Sequence, residues 1–281
     1  MFRNAVVCTD LSSSSHGIVK CAGQLGVLGV ENVVLVHVIE IDRPGAMPGA
    51  DGDAVFARQV DALEAAGIKV RIDTAVGYAP YEIERIAVQH ESGLIVAGSH
   101  GKGLFDGVMS GSVSSDLVRI AARPILLTAP STGDDYEQVG DSCAAMLGHV
   151  LFPSDFSGAC ERAGHLMLDV AEKGARAATL LHVVQQSAGT LSEYAADDSR
   201  GRLAVFAEEL HEVGVEDVRI RVMAGDAERI VAQAAASGEY SLIVMGPHCE
   251  EGSEAALDSV TNAALQKTVV PILLAPPGWR P

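Results

Sequence analysis

The chain repeats itself, and that repetition limits the architectures open to it more than any other feature. AVVCTDLS at 5–12 is answered by HVLFPSDFS at 149–157, and VVLVHVIE at 33–40 by ATLLHVVQ at 178–185. SGLIVAGSH at 92–100 is answered by EYSLIVMGPH at 239–248, and ARPILLTAP at 122–130 by VVPILLAPP at 269–277. The offset stays between 145 and 148 residues through all four ordered matches. A period of that length is an ordinary domain, so the 281 residues read as two related domains in tandem. The expected boundaries are 1–131 for the first, 132–147 for a linker and 148–281 for the second. The stretch 131–141 is polar and reads as linker, while Ala144 to Leu147 could form a helical turn.

Within each repeat, short apolar runs alternate with segments of helical period. In the first, strands are expected at 5–9, 33–39, 69–76, 93–98 and 125–129, and helices at about 13–28, 52–66, 79–91 and 112–122. The strands are nearly continuous apolar runs instead of alternating ones, as expected when both faces of a sheet are covered. Aromatics are only 4% of the chain, so the cores must be built from Ala, Val, Leu and Ile. The fold class expected is α/β: two tandem doubly wound domains, each a parallel sheet with helices on both faces. Ligands in such sheets sit at the carboxyl ends of the strands, here strands one, two and four. Two Gly-, Pro-, Asp- and Ser-rich insertions, 41–53 and 186–199, follow the second strand of each repeat and are expected as loops, at most partly helical.

A net charge of −17 without a basic stripe argues against nucleic acid and anionic membranes as partners. No apolar run reaches the roughly 18 residues of a membrane span, and no signal peptide is evident, so a cytoplasmic location is expected. The five cysteines (Cys8, Cys21, Cys143, Cys160 and Cys249) are scattered with no CxxC pair, and are expected as free thiols. His37 and His182 hold matching strand positions without a partner at metal-ligand spacing, which favours a structural or pocket-edge role.

Strand four of the first repeat ends in Gly98, Ser99, His100 and Gly101, and Gly111 and Ser112 follow before a helical segment. Glycines let the main chain approach an anion closely, and a helix start supplies inward N–H groups and a positive dipole end. Ser112 alone would be a simple N-cap; with Gly98 and Gly101 upstream, a phosphate loop is the better reading. His100 can donate to a phosphate or face solvent. There is no GxxxxGK[ST] loop, and Ser99, His100 and Asp106 crowd one loop without the geometry of a triad.

The pattern Gly98-x2-Gly101-x9-Gly111-Ser112, followed by Val113 and closed by ProIleLeuLeu, resembles the ATP-binding branch of the universal stress protein family. The resemblance extends over both repeats. It implies two five-stranded Rossmann-like domains of the adenine-nucleotide alpha hydrolase type, with ATP, or AMP or ADP, across the strand ends of the first. By similarity Gly98, Gly101, Gly111, Ser112 and Val113 lie at the phosphate and ribose end. Thr9, Asp10 and the main chain of Val38 lie at the adenosine end, with Cys8 and Ala97 as pocket walls. Cys8 stands where the family often has proline. Mg or Mn bridging the phosphates is implied as possible, turnover is expected to be absent or slow, and no catalytic residue is assigned. The final strands are expected to pair, giving a homodimer or an internal pseudo-dimer. The second repeat keeps Gly246, Asp155 and Ser259, but Pro247, Cys249 and Asp258 replace the loop's other elements, so its phosphate grip is expected to be lost.

Overall fold

The computed structural model describes residues 2–12, 15–40, 50–98, 113–128, 136–185, 193–247, 257–268 and 270–281. The first repeat runs β1 (Asn4–Cys8), α1 (Ser15–Gly23), β2 (Asn32–Ile39), α2 (Ala50–Ala65), β3 (Lys69–Val76), α3 (Ala79–Gln89), β4 (Leu94–Gly98), α4 (Val113–Ile120) and β5 (Ile125–Thr128). Helix α5 (Tyr136–Ala144) follows. The second runs β6 (His149–Ser154), α6 (Gly158–Ala171), β7 (Ala177–Val184), α7 (Glu193–Glu212), β8 (Asp217–Ala224), α8 (Ala227–Ala235), β9 (Leu242–Met245), α9 (Ser259–Lys267) and β10 (Ile272–Leu274). Each strand expected in the first repeat is present. The tails of both insertions are helical, because α2 starts at Ala50 and α7 at Glu193.

All ten strands form one sheet, in the order β3-β2-β1-β4-β5-β10-β9-β6-β7-β8. Pairing within each repeat is parallel, and the two halves meet where β5 and β10 run antiparallel. Of the two assemblies expected for the final strands, the chain adopts the internal pseudo-dimer. Leu126 faces Leu273 across this seam, flanked by Ile125 opposite Leu274 and Leu127 opposite Ile272, all essentially inaccessible to solvent.

Alternation along the strands distributes the apolar side chains over two cores. Val7, Val33 and Leu35 join α1, α2, α5, α6 and α7 on one face, with Leu126 and Leu273 from the seam. Val6, Val34, Val36 and Ile95 join α3, α4, α8 and α9 on the other, with Ile125, Leu127, Ile272 and Leu274. Both cores therefore run through the seam. The outermost strands, β3 and β8, are the exposed ones, and they carry Lys69, Arg71 and Asp73, or Asp217, Arg219 and Arg221. Charges on a free edge discourage further strand addition.

The stretch expected as a linker carries α5, which lies against α1, and here the expectation for the cysteines is overturned. Cys21 and Cys143 form a disulfide, with 5.2 Å between their Cα atoms. The partners are 122 residues apart in sequence, so only the packing of α5 on α1 brings them together. Cys8 and Cys160 are free, and Cys249 lies outside the described residues.

Candidate functional site

The strand order puts the switch point of the first domain between β1 and β4, whose chains leave to opposite sides. At this edge the main chain of Thr9 donates to the carbonyl of Val36 at 2.9 Å, extending β1 by one step. Beyond it the chain turns sharply through Leu11, whose φ is +59°. Two local bonds hold that turn. The Leu11 N–H donates to Thr9 Oγ1 at 3.1 Å, and the Ser12 N–H to Asp10 Oδ1 at 2.9 Å, with the Ser12 hydroxyl on the same oxygen. Asp10 thus builds the turn through local N–H bonds, as short acidic side chains do, while its carboxylate stays exposed.

Cys8, Val38 and Val113 are half-buried and pack against the core on the α3/α4 face, which also contains the buried Ala97. They form one apolar shelf along the strand ends. Desolvation pushes the Cys8 thiol up to about 12, so it serves as an uncharged wall. Gly98 ends β4, and the Ser114 hydroxyl in the first turn of α4 donates to its carbonyl at 2.7 Å. This bond ties the start of α4 to the end of β4, which fixes both stems of the 99–112 segment. Of the eleven residues expected at the site, Cys8, Thr9, Asp10, Val38, Ala97, Gly98 and Val113 are thus at the same sheet edge. His100, Gly101, Gly111 and Ser112 lie outside the described residues.

Several contributors went unread in the sequence. Ser114 is one; the matching Thr261 in the second repeat was the available signal. Tyr78, at the start of α3, donates its hydroxyl to Asp116 in the first turn of α4. Burial first, and then that bond, pushes its phenol up to about 12, so it remains a donor. Beneath the Asp10 turn lies a buried polar layer: Gln59 Nε2 donates to Ser15 Oγ at 2.8 Å, and that hydroxyl donates to the Ser12 carbonyl at 2.7 Å. His37 Nδ1 meets the Thr9 carbonyl at 2.9 Å, and His182 Nδ1 meets the Ser154 carbonyl at 2.7 Å. The duplicated histidine is therefore a brace for the strand-one turn in both repeats.

The second repeat has a cavity at the matching sheet edge. Its volume is about 100 Å³, and it is lined by Asp155, Leu181, Val183, Met245, Gly246 and Val260 among others. By the repeat offsets these answer Asp10, Val36, Val38, Ala97, Gly98 and Val113. The volume falls below the roughly 300 Å³ at which ligand pockets begin. Asp258, the counterpart of Gly111, caps α9: the Thr261 N–H and hydroxyl each donate to its carboxylate at 2.8 Å. The position where a helix start could receive a phosphate is filled by the chain's own carboxylate.

No helix among the described residues is long and apolar enough to cross a membrane. The model of the universal stress protein family matches residues 1–129 and again 146–276. The universal stress protein MJ0577 of Methanocaldococcus jannaschii is 26% identical over 153 residues, 45% of this chain and 94% of its own length. A universal stress protein from Archaeoglobus fulgidus superposes over 97% of this chain and 96% of its own, with 20% identity and a TM-score of 0.71. A universal stress protein solved in complex with cAMP matches 46% of this chain and 99% of its own, at 23% identity and a TM-score of 0.39. Two consecutive matches to one family model, on two halves that repeat the same strand order about a central seam, make this chain a tandem, two-domain member of the universal stress protein family.

Proposed function

We propose that the first domain binds one adenine nucleotide, ATP in the leading reading, and that the chain acts as a nucleotide-dependent regulatory or interaction protein in the stress response, with slow hydrolysis or none. The observation that carries this reading is the contrast between the repeats. Asp258 neutralises the start of α9, whereas the first repeat has Gly111 at the matching position. A glycine at that position brings no carboxylate of its own to the helix start, which suits an external anion there. The apolar shelf of Cys8, Val38 and Ala97 suits the flat face of a purine, and the Asp10 turn suits a ribose. Asp10 is committed to its turn, which supports binding over acid–base chemistry. A divalent cation bridging the phosphates belongs to the same proposal; titration with and without Mg separates its contribution.

The test is Gly111→Asp, which copies the second repeat's solution into the first. A carboxylate beside the phosphates is expected to weaken ATP binding by about 30-fold or more, equivalent to about 2 kcal/mol. Thermal stability should hold or rise, since an aspartate N-cap is worth about 1 kcal/mol. Unchanged affinity in calorimetry would move the bound nucleotide away from the Gly111 loop, and no binding by wild type would leave a scaffold with a vestigial pocket.

A further inference from the structure

The disulfide joins two elements of unequal strength. Cys21 sits in α1, whose Val19, Cys21 and Ala22 are embedded in the core beside β1. Cys143 sits in α5, nine residues long, with Gly140 in its interior. A helix that short, interrupted by glycine, is marginal by itself. Its apolar anchors among the described side chains are Val139, Cys143 and, just past its end, Met146, all buried on the α1 side. Gly140 packs against α1, where a Cβ would lie 3.4 Å from the Lys20 Cβ. Asp141, Ala144 and Ala145 face solvent. Neither sheet half nor the β5–β10 seam depends on this bond, because it lies outside every strand pairing. It clips the exit of the first domain back onto that domain's first helix.

We propose that Cys21 and Cys143 are a redox-controlled latch: a dithiol reductant opens the bond, α5 swings off α1, and Val139 and Met146 lose the cover of α1. Both sulfurs are buried in the closed state, so attack follows local opening of α5, the less anchored partner. A thiolate of the reductant attacks Cys143 Sγ, the S–S bond breaks, and Cys21 leaves as a thiolate and takes up a proton. The reductant's second thiol then attacks the mixed disulfide and releases Cys143, which is protonated in turn. Two electrons and two protons pass to the protein, and the reductant ends as its own disulfide. A low-molecular-weight disulfide such as oxidised glutathione reverses the sequence. Bonds of this kind in reducing compartments are transient and sensing, whereas a permanent staple resists reduction.

The experiment is hydrogen exchange by mass spectrometry on the full native chain, before and after treatment with dithiothreitol, with alkylation mapped peptide by peptide. The latch requires that Cys21 and Cys143 become alkylated only after reduction. Amides in 139–147 should then exchange at least ten times faster, while β1, β4, β6 and β9 keep their protection. C21S/C143S without reductant should reproduce the reduced pattern, and oxidised glutathione should restore the closed one in wild type. Equal exchange in the two states, loosening of the whole first domain, resistance to dithiothreitol without denaturant, or alkylation of both cysteines before reduction would each overturn the proposal. Wild type alone decides the matter if the double variant does not fold.

Discussion

Gly246→Ala is expected to destabilise the second domain by about 3 kcal/mol or more, although it adds one methyl group. Gly246 follows the last residue of β9, and an ideal Cβ there lies 1.9 Å from the Ala159 carbonyl oxygen and 2.5 Å from its carbon. Both atoms belong to the first turn of α6, so the obstacle is backbone and cannot rotate away. That turn is itself fixed: Ser157 caps α6 by accepting from the Cys160 N–H at 3.2 Å, and Asp155 accepts from the Ser157 N–H at 3.0 Å. Relief requires moving α6 away from the sheet or pulling β9 out of register with β10. Gly201→Ala provides the control. It lies within α7 with nothing within 4 Å of its would-be Cβ, so the same substitution should stabilise by about 0.5–1 kcal/mol. Urea unfolding of the two variants beside wild type checks both signs.

Leu273→Ala carries the second large effect. Leu273 is fully buried, lies opposite Leu126 and sits in a strand of only three residues. Truncating such a side chain costs about 2–5 kcal/mol, set by how far its surroundings collapse into the space. The site has little room to adjust, since both sheet halves converge on it and Leu126 cannot follow from an equally buried position. The core on the α1 face runs through Leu126 and Leu273, so the loss should reach both domains. Leu126→Ala should cost a similar amount, and the double variant less than the sum, because the two share one cavity. A shift confined to the second domain's unfolding transition would mean that the seam does not couple the halves.

How much of this the sequence discloses depends on which force shapes each part. Strands β1, β2 and β4 are covered on both faces, so their residues form nearly continuous apolar runs, and the repeat marks the same runs twice. Helix α5 reads as linker in the sequence because most of it lies in the polar stretch 131–141. Its anchors Val139, Cys143 and Met146 stand at i, i+4 and i+7, a helical stripe of only three residues that is easily lost among polar neighbours. The disulfide is hidden in the sequence for a related reason: pairing across 122 residues is a property of packing, and spacing carries no trace of it. In the sequence Asp258 stands only as a replacement for a loop glycine; its bonds to Thr261 give it a positive task as a helix cap. The Thr9–Asp10 turn and the Gly98 strand end were legible as turn chemistry, while Ser114, Gln59 and Tyr78 act through partners far away in sequence.

We propose an asymmetric chain, two copies of one fold with a single working nucleotide site, in the first domain. Calorimetric titration of the full chain with MgATP, on protein first stripped of any bound nucleotide, tests it most directly. One nucleotide per chain is the expected stoichiometry, with the site in the first domain. Two per chain would contradict the account of Asp258 as a closed gate, and none would contradict nucleotide binding altogether.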